Sequence, residues 1–173
     1  MKKKNLKVKS FITEKRRSLN LSISYAIKHK ERLHITAPVG TAKTTLAIEI
    51  IKKYRNRYQI LLLEPQISIS SQVYNKLQAE QVTAFVYNSK TFSKLKNWEK
   101  DKQMYWNETY LSTIDSAWRL FEDNKLDLDR TIVIIDETHT ILQHGRAGFD
   151  KSVRYILDSK CPVIGFSATE SFW

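Results

Sequence analysis

At 173 residues and 20.3 kDa the chain has room for one domain or one lobe of a larger machine, and it can bury roughly 70% of its unfolded surface without disulfides or a structural metal. A hydrophobic share of 42%, a single cysteine and the absence of any run of 18 apolar residues exclude general disorder, a disulfide or cysteine-zinc scaffold, and a membrane-spanning segment. The net charge of +11 suggests a polyanionic partner, yet +7 of it lies in residues 1–17, which suit a solvated arm equally well.

That basic arm, residues 1–17, is read as separate from a domain over residues 18–173. Met1 to Lys9 lacks the apolar stretch of a signal peptide, so the expected setting is cytoplasmic, or a nucleoid or viral replication site. Leu19 to Lys30 then reads as helix, with Leu19, Ile23, Ala26 and Ile27 on one stripe. Short apolar runs follow at Leu33 to Ala37, Ile60 to Leu63, Val82 to Val86, Tyr110 to Leu111, Ile132 to Ile135 and Val163 to Phe166. They are continuous rather than alternating, the pattern of strands buried on both faces of a parallel sheet. Helical spacing covers Thr44 to Tyr54, Ile67 to Gln78, Ser93 to Tyr105, Ile114 to Phe121 and Lys151 to Leu157. Pro38, Pro65 and Pro162 flank the runs rather than interrupt them, as residues with no N–H for a sheet ladder must. Cys161, beside Pro162, reads as a small buried apolar side chain. The expected fold is α/β, a doubly wound, mainly parallel sheet flanked by helices. Ligands then belong beyond the carboxyl ends of the strands, after Ala37, Leu63, Leu111, Ile135 and Phe166.

The first of these loops, A-P-V-G-T-A-K-T-T from Ala37 to Thr45, runs straight into a helix. Such a loop wraps a polyphosphate with backbone N–H groups and a helix N-terminus, while a lysine reaches the outer phosphates and a hydroxyl holds Mg2+. Pro38, Val39, Gly40, Thr41, Ala42 and Thr45 would form the wrap, Lys43 the phosphate contact and Thr44 the cation contact. Ala37 and Ala42 stand where the strict pattern G-x-x-x-x-G-K-[ST] has glycine, and the methyl of Ala42 crowds the backbone's approach to the phosphates. The bland alternative is a plain strand, turn and helix with Lys43 solvated.

The segment T-I-V-I-I-D-E-T-H, Thr131 to His139, sets two carboxylates at the end of a buried strand. Asp136 suits Mg2+, held through its water shell, and Glu137 suits a water attacking the γ-phosphate of ATP. Acidic residues also cap helices, which is the alternative for this pair taken alone.

Together with S-A-T, Ser167 to Thr169, these segments resemble motifs I, II and III of the first RecA-like lobe of superfamily 2 helicases, the DExH group. The resemblance covers nearly the whole chain, and helicases of this kind commonly begin motif I with alanine. It implies a P-loop NTPase fold of the RecA-like type, ATP and Mg2+ as cofactors, and Lys43 and Glu137 as catalytic residues. It further implies coupling roles for His139, Ser167 and Thr169. L-E-P-Q-I-S-I-S-S-Q, from Leu63, resembles motif Ia, and S-T-I-D-S-A-W-R, from Ser112, resembles motif Ib. These would place Pro65, Gln66, Thr113 and Ser116 against the backbone of bound DNA or RNA, where hydroxyls and helix starts favour anions whatever the base sequence. T-I-D-S-A-W-R and I-I-D-E-T-H-T-I-L are also similar to segments of viral origin-binding replication helicases.

Some family features lack a counterpart. No glutamine precedes Gln59 to read adenine. The second RecA-like lobe, with its arginine fingers, is absent from the chain, so the resemblance implies an amino-terminal piece of a longer protein that binds ATP and hydrolyses it weakly alone. Ser89 to Trp106 interleaves lysines with Phe92, Trp98, Tyr105 and Trp106, which fits either a base-stacking surface or an amphipathic helix with solvated lysines. Gly145 and Gly148 are expected in a surface loop. Two further readings share these residues: a terminase-like DNA-packaging ATPase, and a nucleic-acid-binding module with a degenerate nucleotide site.

Overall fold

The structure, a computed structural model, describes residues 2–37, 43–87, 109–138 and 147–168, with backbone alone for 2–15 and 67–69. The elements in chain order are α1 (Lys2–His29), β1 (Arg32–Thr36), α2 (Lys43–Tyr54), β2 (Gln59–Glu64), α3 (Ile67–Ala79) and β3 (Ala84–Tyr87). Then come β4 (Thr109–Thr113), α4 (Ile114–Glu122), β5 (Thr131–Ile135), α5 (Ala147–Asp158) and β6 (Val163–Ser167). Among the described residues the six strands form one sheet in the order β1-β6-β5-β2-β4-β3, with every neighbouring pair parallel.

Each strand expected from an apolar run is present, because a central parallel strand is covered on both faces and has no need to alternate. Ile60, Leu61, Leu62 and Leu63 of β2 are all at most 1% exposed. Burying each such side chain stabilises the fold by about 1.5–3 kcal/mol. β3 starts at Ala84, two residues later than expected: Val82 is buried, but its N–H is bonded to Leu77 O and ends α3 instead. The helical segment expected over Ser93 to Tyr105 lies outside the described residues. α1 runs without a break from Lys2 to His29, through both the basic stretch and the apolar stripe.

The strand period of two sorts the side chains into two cores. Ile60, Leu62, Ile132, Ile134, Ile164 and Phe166 face Ile23, Ala26 and Ile27 of α1, Ala47, Ile48 and Ile51 of α2, and Val73 and Leu77 of α3. Leu61, Leu63, Val133, Ile135 and Val163 face Ala117, Leu120 and Phe121 of α4, and Phe149 and Ile156 of α5. The chain is thus a three-layer α/β/α sandwich wound on both faces, and Cys161 is buried in its second core. Gly148, expected in a loop, instead lies in the first turn of α5, where the backbone of α4 comes so close that only glycine fits. Gly145 lies outside the described residues. Among the described residues no helix is long and apolar enough to cross a membrane.

Candidate nucleotide site and strand-contact edge

All the strands being parallel, their carboxyl ends gather on one edge, and the sequence-derived site residues that are described gather with them. β1 ends at Thr36, and Ala37 N–H donates to Ser167 O at 2.9 Å, fixing the residue that follows β1 against β6. Pro38, Val39, Gly40, Thr41 and Ala42 lie outside the described residues, as do His139 and Thr169. Lys43 opens α2, with Thr44 and Thr45 in the same first turn.

Lys43 Nζ donates to Glu137 Oε1 at 3.0 Å, with Lys43 10% and Glu137 28% exposed at the side chain. The site's ammonium and one of its carboxylates therefore share a half-buried crevice. Asp136 leaves β5 with its N–H bonded to Leu63 O at 2.9 Å, and its Oδ1 accepts the N–H of Glu137 at 3.0 Å. Glu137 has φ 54, in the left-handed region that non-glycine residues avoid. The other non-glycine residues with positive φ in the described backbone, Lys30, Gln81 and Asn124, each follow a helix end and belong to its cap. Glu137 follows a strand, so its strain of roughly 1–3 kcal/mol is held where it aims a carboxylate back toward α2.

Thr138, 3% exposed, ties the acidic segment to the first and last strands. Its Oγ1 lies 3.3 Å from His34 Nδ1 on β1 and donates to Phe166 O on β6 at 3.4 Å. Ser167 is fully buried at the end of β6, in register with Thr36. An open cavity of about 430 Å³ borders Lys43, lined by Ser18, Leu19 and Ser22 of α1, Ile35 to Ala37, Leu46 and Phe166. Arg16, a basic residue of the arm, forms an ion pair with Glu49 of α2.

The strand-contact candidates lie further along the same edge. Pro65 and the exposed Gln66 make the turn from β2 into α3, and Gln66 O accepts both the N–H and the hydroxyl of Ser70. Thr113 and Ser116, at 6% and 5% exposure, are buried at the start of α4, and Thr113 Oγ1 donates to Ser116 Oγ at 3.2 Å. Their hydroxyls face each other and shape the turn rather than project from it.

One residue of this edge carries no role in the sequence reading. Glu64 ends β2 at 1% exposure, and its Oε2 has no hydrogen-bond partner. Burial, helped by the nearby charges of Asp136 and Glu137, pushes its carboxyl up to about 8. The only signal in the sequence is a carboxylate closing an apolar run immediately before a proline.

The sequence profile of the ResIII family, described as type III restriction enzyme, res subunit, matches residues 5–172. No curated protein sequence matches the chain. Among solved structures, a variant of S. cerevisiae Dbp5 bound to RNA and ADP BeF3 is similar over 81% of this chain and 36% of its own, with a TM-score of 0.61 at 20% identity. The Pyrococcus furiosus Hef helicase domain is similar over 89% of this chain and 33% of its own, with a TM-score of 0.61 at 17% identity. The chain thus spans about a third of the length of either, and the likeness is one of fold: a RecA-like sheet with helices on both faces.

Proposed function

From the premise that the chain belongs to the ResIII family and forms the first RecA-like lobe of a superfamily 2 helicase, we propose that it is the ATP-binding lobe of an ATP-dependent nucleic-acid helicase or translocase. The observation that carries this reading is the Lys43–Glu137 ion pair, which joins the start of α2 to the end of β5.

In this reading Lys43 binds the β- and γ-phosphates of ATP. Pro38, Val39, Gly40, Thr41, Ala42 and Thr45 surround them with backbone N–H groups where the residue has one, and the cavity beside Lys43 takes the base and ribose. Thr44 and Asp136 hold Mg2+, an oxygen-only pair that fits a hard cation keeping several of its waters. When bound, the ion neutralises charge on the phosphates. Once Lys43 turns to the phosphates, Glu137 is released to orient the attacking water and take its proton.

Ser167, with His139 and Thr169, relays the nucleotide state along the Thr138 contacts to β1 and β6. Pro65 and Gln66, and the turn built by Thr113 and Ser116, hold the backbone of DNA or RNA. A second RecA-like lobe completes the site, supplying an arginine finger worth about 10³–10⁵ in rate.

Isothermal titration tests the reading. Wild-type chain binds ADP and ATP in Mg2+, and Lys43→Ala binds them at least ~10-fold more weakly, the loss of a charge-assisted contact. Equal affinities, or no heat from the wild type, overturn it. Single-strand affinity should fall with salt at a log-log slope of about −0.7 per phosphate neutralised, most of it surviving deletion of residues 1–17.

A further inference from the structure

Glu64 carries a buried carboxyl group whose Oε2 has no hydrogen-bond partner among the described residues, at the edge where the candidate site residues gather. Leaving a buried acceptor unmet costs more than a made hydrogen bond returns, so such an atom calls for a specific partner. The sheet says where that partner must come from. β2 and β5 are in register through Leu63 and Ile135, so Glu64 and Asp136 are the next residues side by side. Leu62 and Ile134 share one core, and the period of two carries Glu64 and Asp136 onto that same face. On the other side Thr113 stands level with Glu64, but its hydroxyl is given to Ser116. One N–H of the Lys43 ammonium goes to Glu137. Among the described residues none donates to Glu64 Oε2, and a donor that fits beside Asp136 is a water bound to a cation.

We propose that Glu64 is an outer-sphere ligand of the magnesium site, giving up its proton when the cation binds and then accepting at Oε2 a hydrogen bond from a water of the hydrated ion that Thr44 and Asp136 would hold. The inference rests on the nucleotide site proposed above. Because Glu64 immediately precedes Pro65, the cation's water shell and the strand-contacting turn are joined by one peptide bond.

Mn2+ serves as the probe. Its affinity for the 173-residue chain saturated with ADP is read from the free-Mn2+ electron paramagnetic resonance signal, and ADP affinity in EDTA is measured in parallel by calorimetry. Glu64→Met fills the same volume without a polar atom, and should weaken Mn2+ by about 10- to 100-fold while leaving ADP affinity in EDTA within about twofold. Glu64→Gln, which keeps an acceptor but no charge, should fall between Met and wild type, and serves alone if the Met variant loses its thermal unfolding transition. Unchanged Mn2+ affinity in a variant that binds ADP normally overturns the outer-sphere role and leaves the nucleotide site standing. Parallel loss of ADP affinity in EDTA also overturns it, marking Glu64 as structural. A wild-type chain that binds no ADP removes the site itself.

Discussion

Lys43 and Glu137 are 94 residues apart in sequence and 3.0 Å apart in space. One opens a helix on one face of the sheet, the other follows a strand two places away in the sheet order, and their meeting is what turns two unremarkable turns into a site. On the proposed function the pair would also hold each partner in check, Glu137 neutralising the ammonium until phosphates replace it.

Glu137→Gln should therefore separate binding from chemistry. The amide keeps the shape but cannot take a proton, so ATP hydrolysis, measured with the proposed second lobe present, should fall by about 10²–10⁴. ADP affinity, measured by titration, should be retained or improved, because Lys43 no longer has a carboxylate to leave. Loss of binding together with hydrolysis would mean that Glu137 positions the nucleotide rather than the water.

Glu64 gives the fold a pH dependence of defined sign. Unfolded, its carboxyl titrates near 4.5, and folded it titrates near about 8, raised by burial first and by Asp136 and Glu137 after it. Its contribution is complete below pH 4.5. Between those values the folded chain keeps a proton the unfolded chain has lost, so stability drops as pH climbs. Glu64→Gln should lack that slope. In EDTA, urea unfolding should show the variant gaining roughly 2–4 kcal/mol on the wild type between pH 5 and 8. Parallel pH profiles for the two proteins would refute it.

Gly148→Ala should loosen the α4/α5 pair. A Cβ there would lie 2.5 Å from Asp115 O, a backbone atom that can retreat only with its helix. The expected loss is about 1–3 kcal/mol in chemical denaturation, despite alanine's better helix propensity. Since Asp115 lies in the turn that Thr113 and Ser116 shape, strand affinity should fall with it. An unchanged midpoint would show that the helices are not held this closely.

Cys161 should be inert. It is 2% exposed, burial raises its thiol above the ordinary range, and its sulfur lies 3.3 Å from Leu128 O. A thiol reagent such as dithionitrobenzoate should label it only in denaturant, and stoichiometric labelling of the native chain would contradict the burial.

Much of this was legible in the residues. Continuous apolar runs such as Ile60 to Leu63 announce buried parallel strands, and a lysine opening a helix after one strand and D-E after another announce the edge where ligands sit. Other features depend on neighbours distant in sequence. Glu64 looks like an ordinary polar residue until β4 and β5 close on either side of it. Gly148 looks like a loop glycine because the sequence cannot show Asp115 O arriving against it. The burial of Thr113 and Ser116 is likewise set by tertiary packing, since a hydroxyl at a helix start is as often capping as free.

The place of β6 has a consequence for how such a chain matures. β1, which leads to Lys43, and β5, which leads to Asp136 and Glu137, are not hydrogen-bonded to each other; both are bonded to β6, the last of the described strands in chain order. A nascent polypeptide with the other five described strands in place would still have a gap between the strand leading to Lys43 and the strand leading to Glu137. On the proposed function, competence for nucleotide would wait for residues 163–167 to fill that slot.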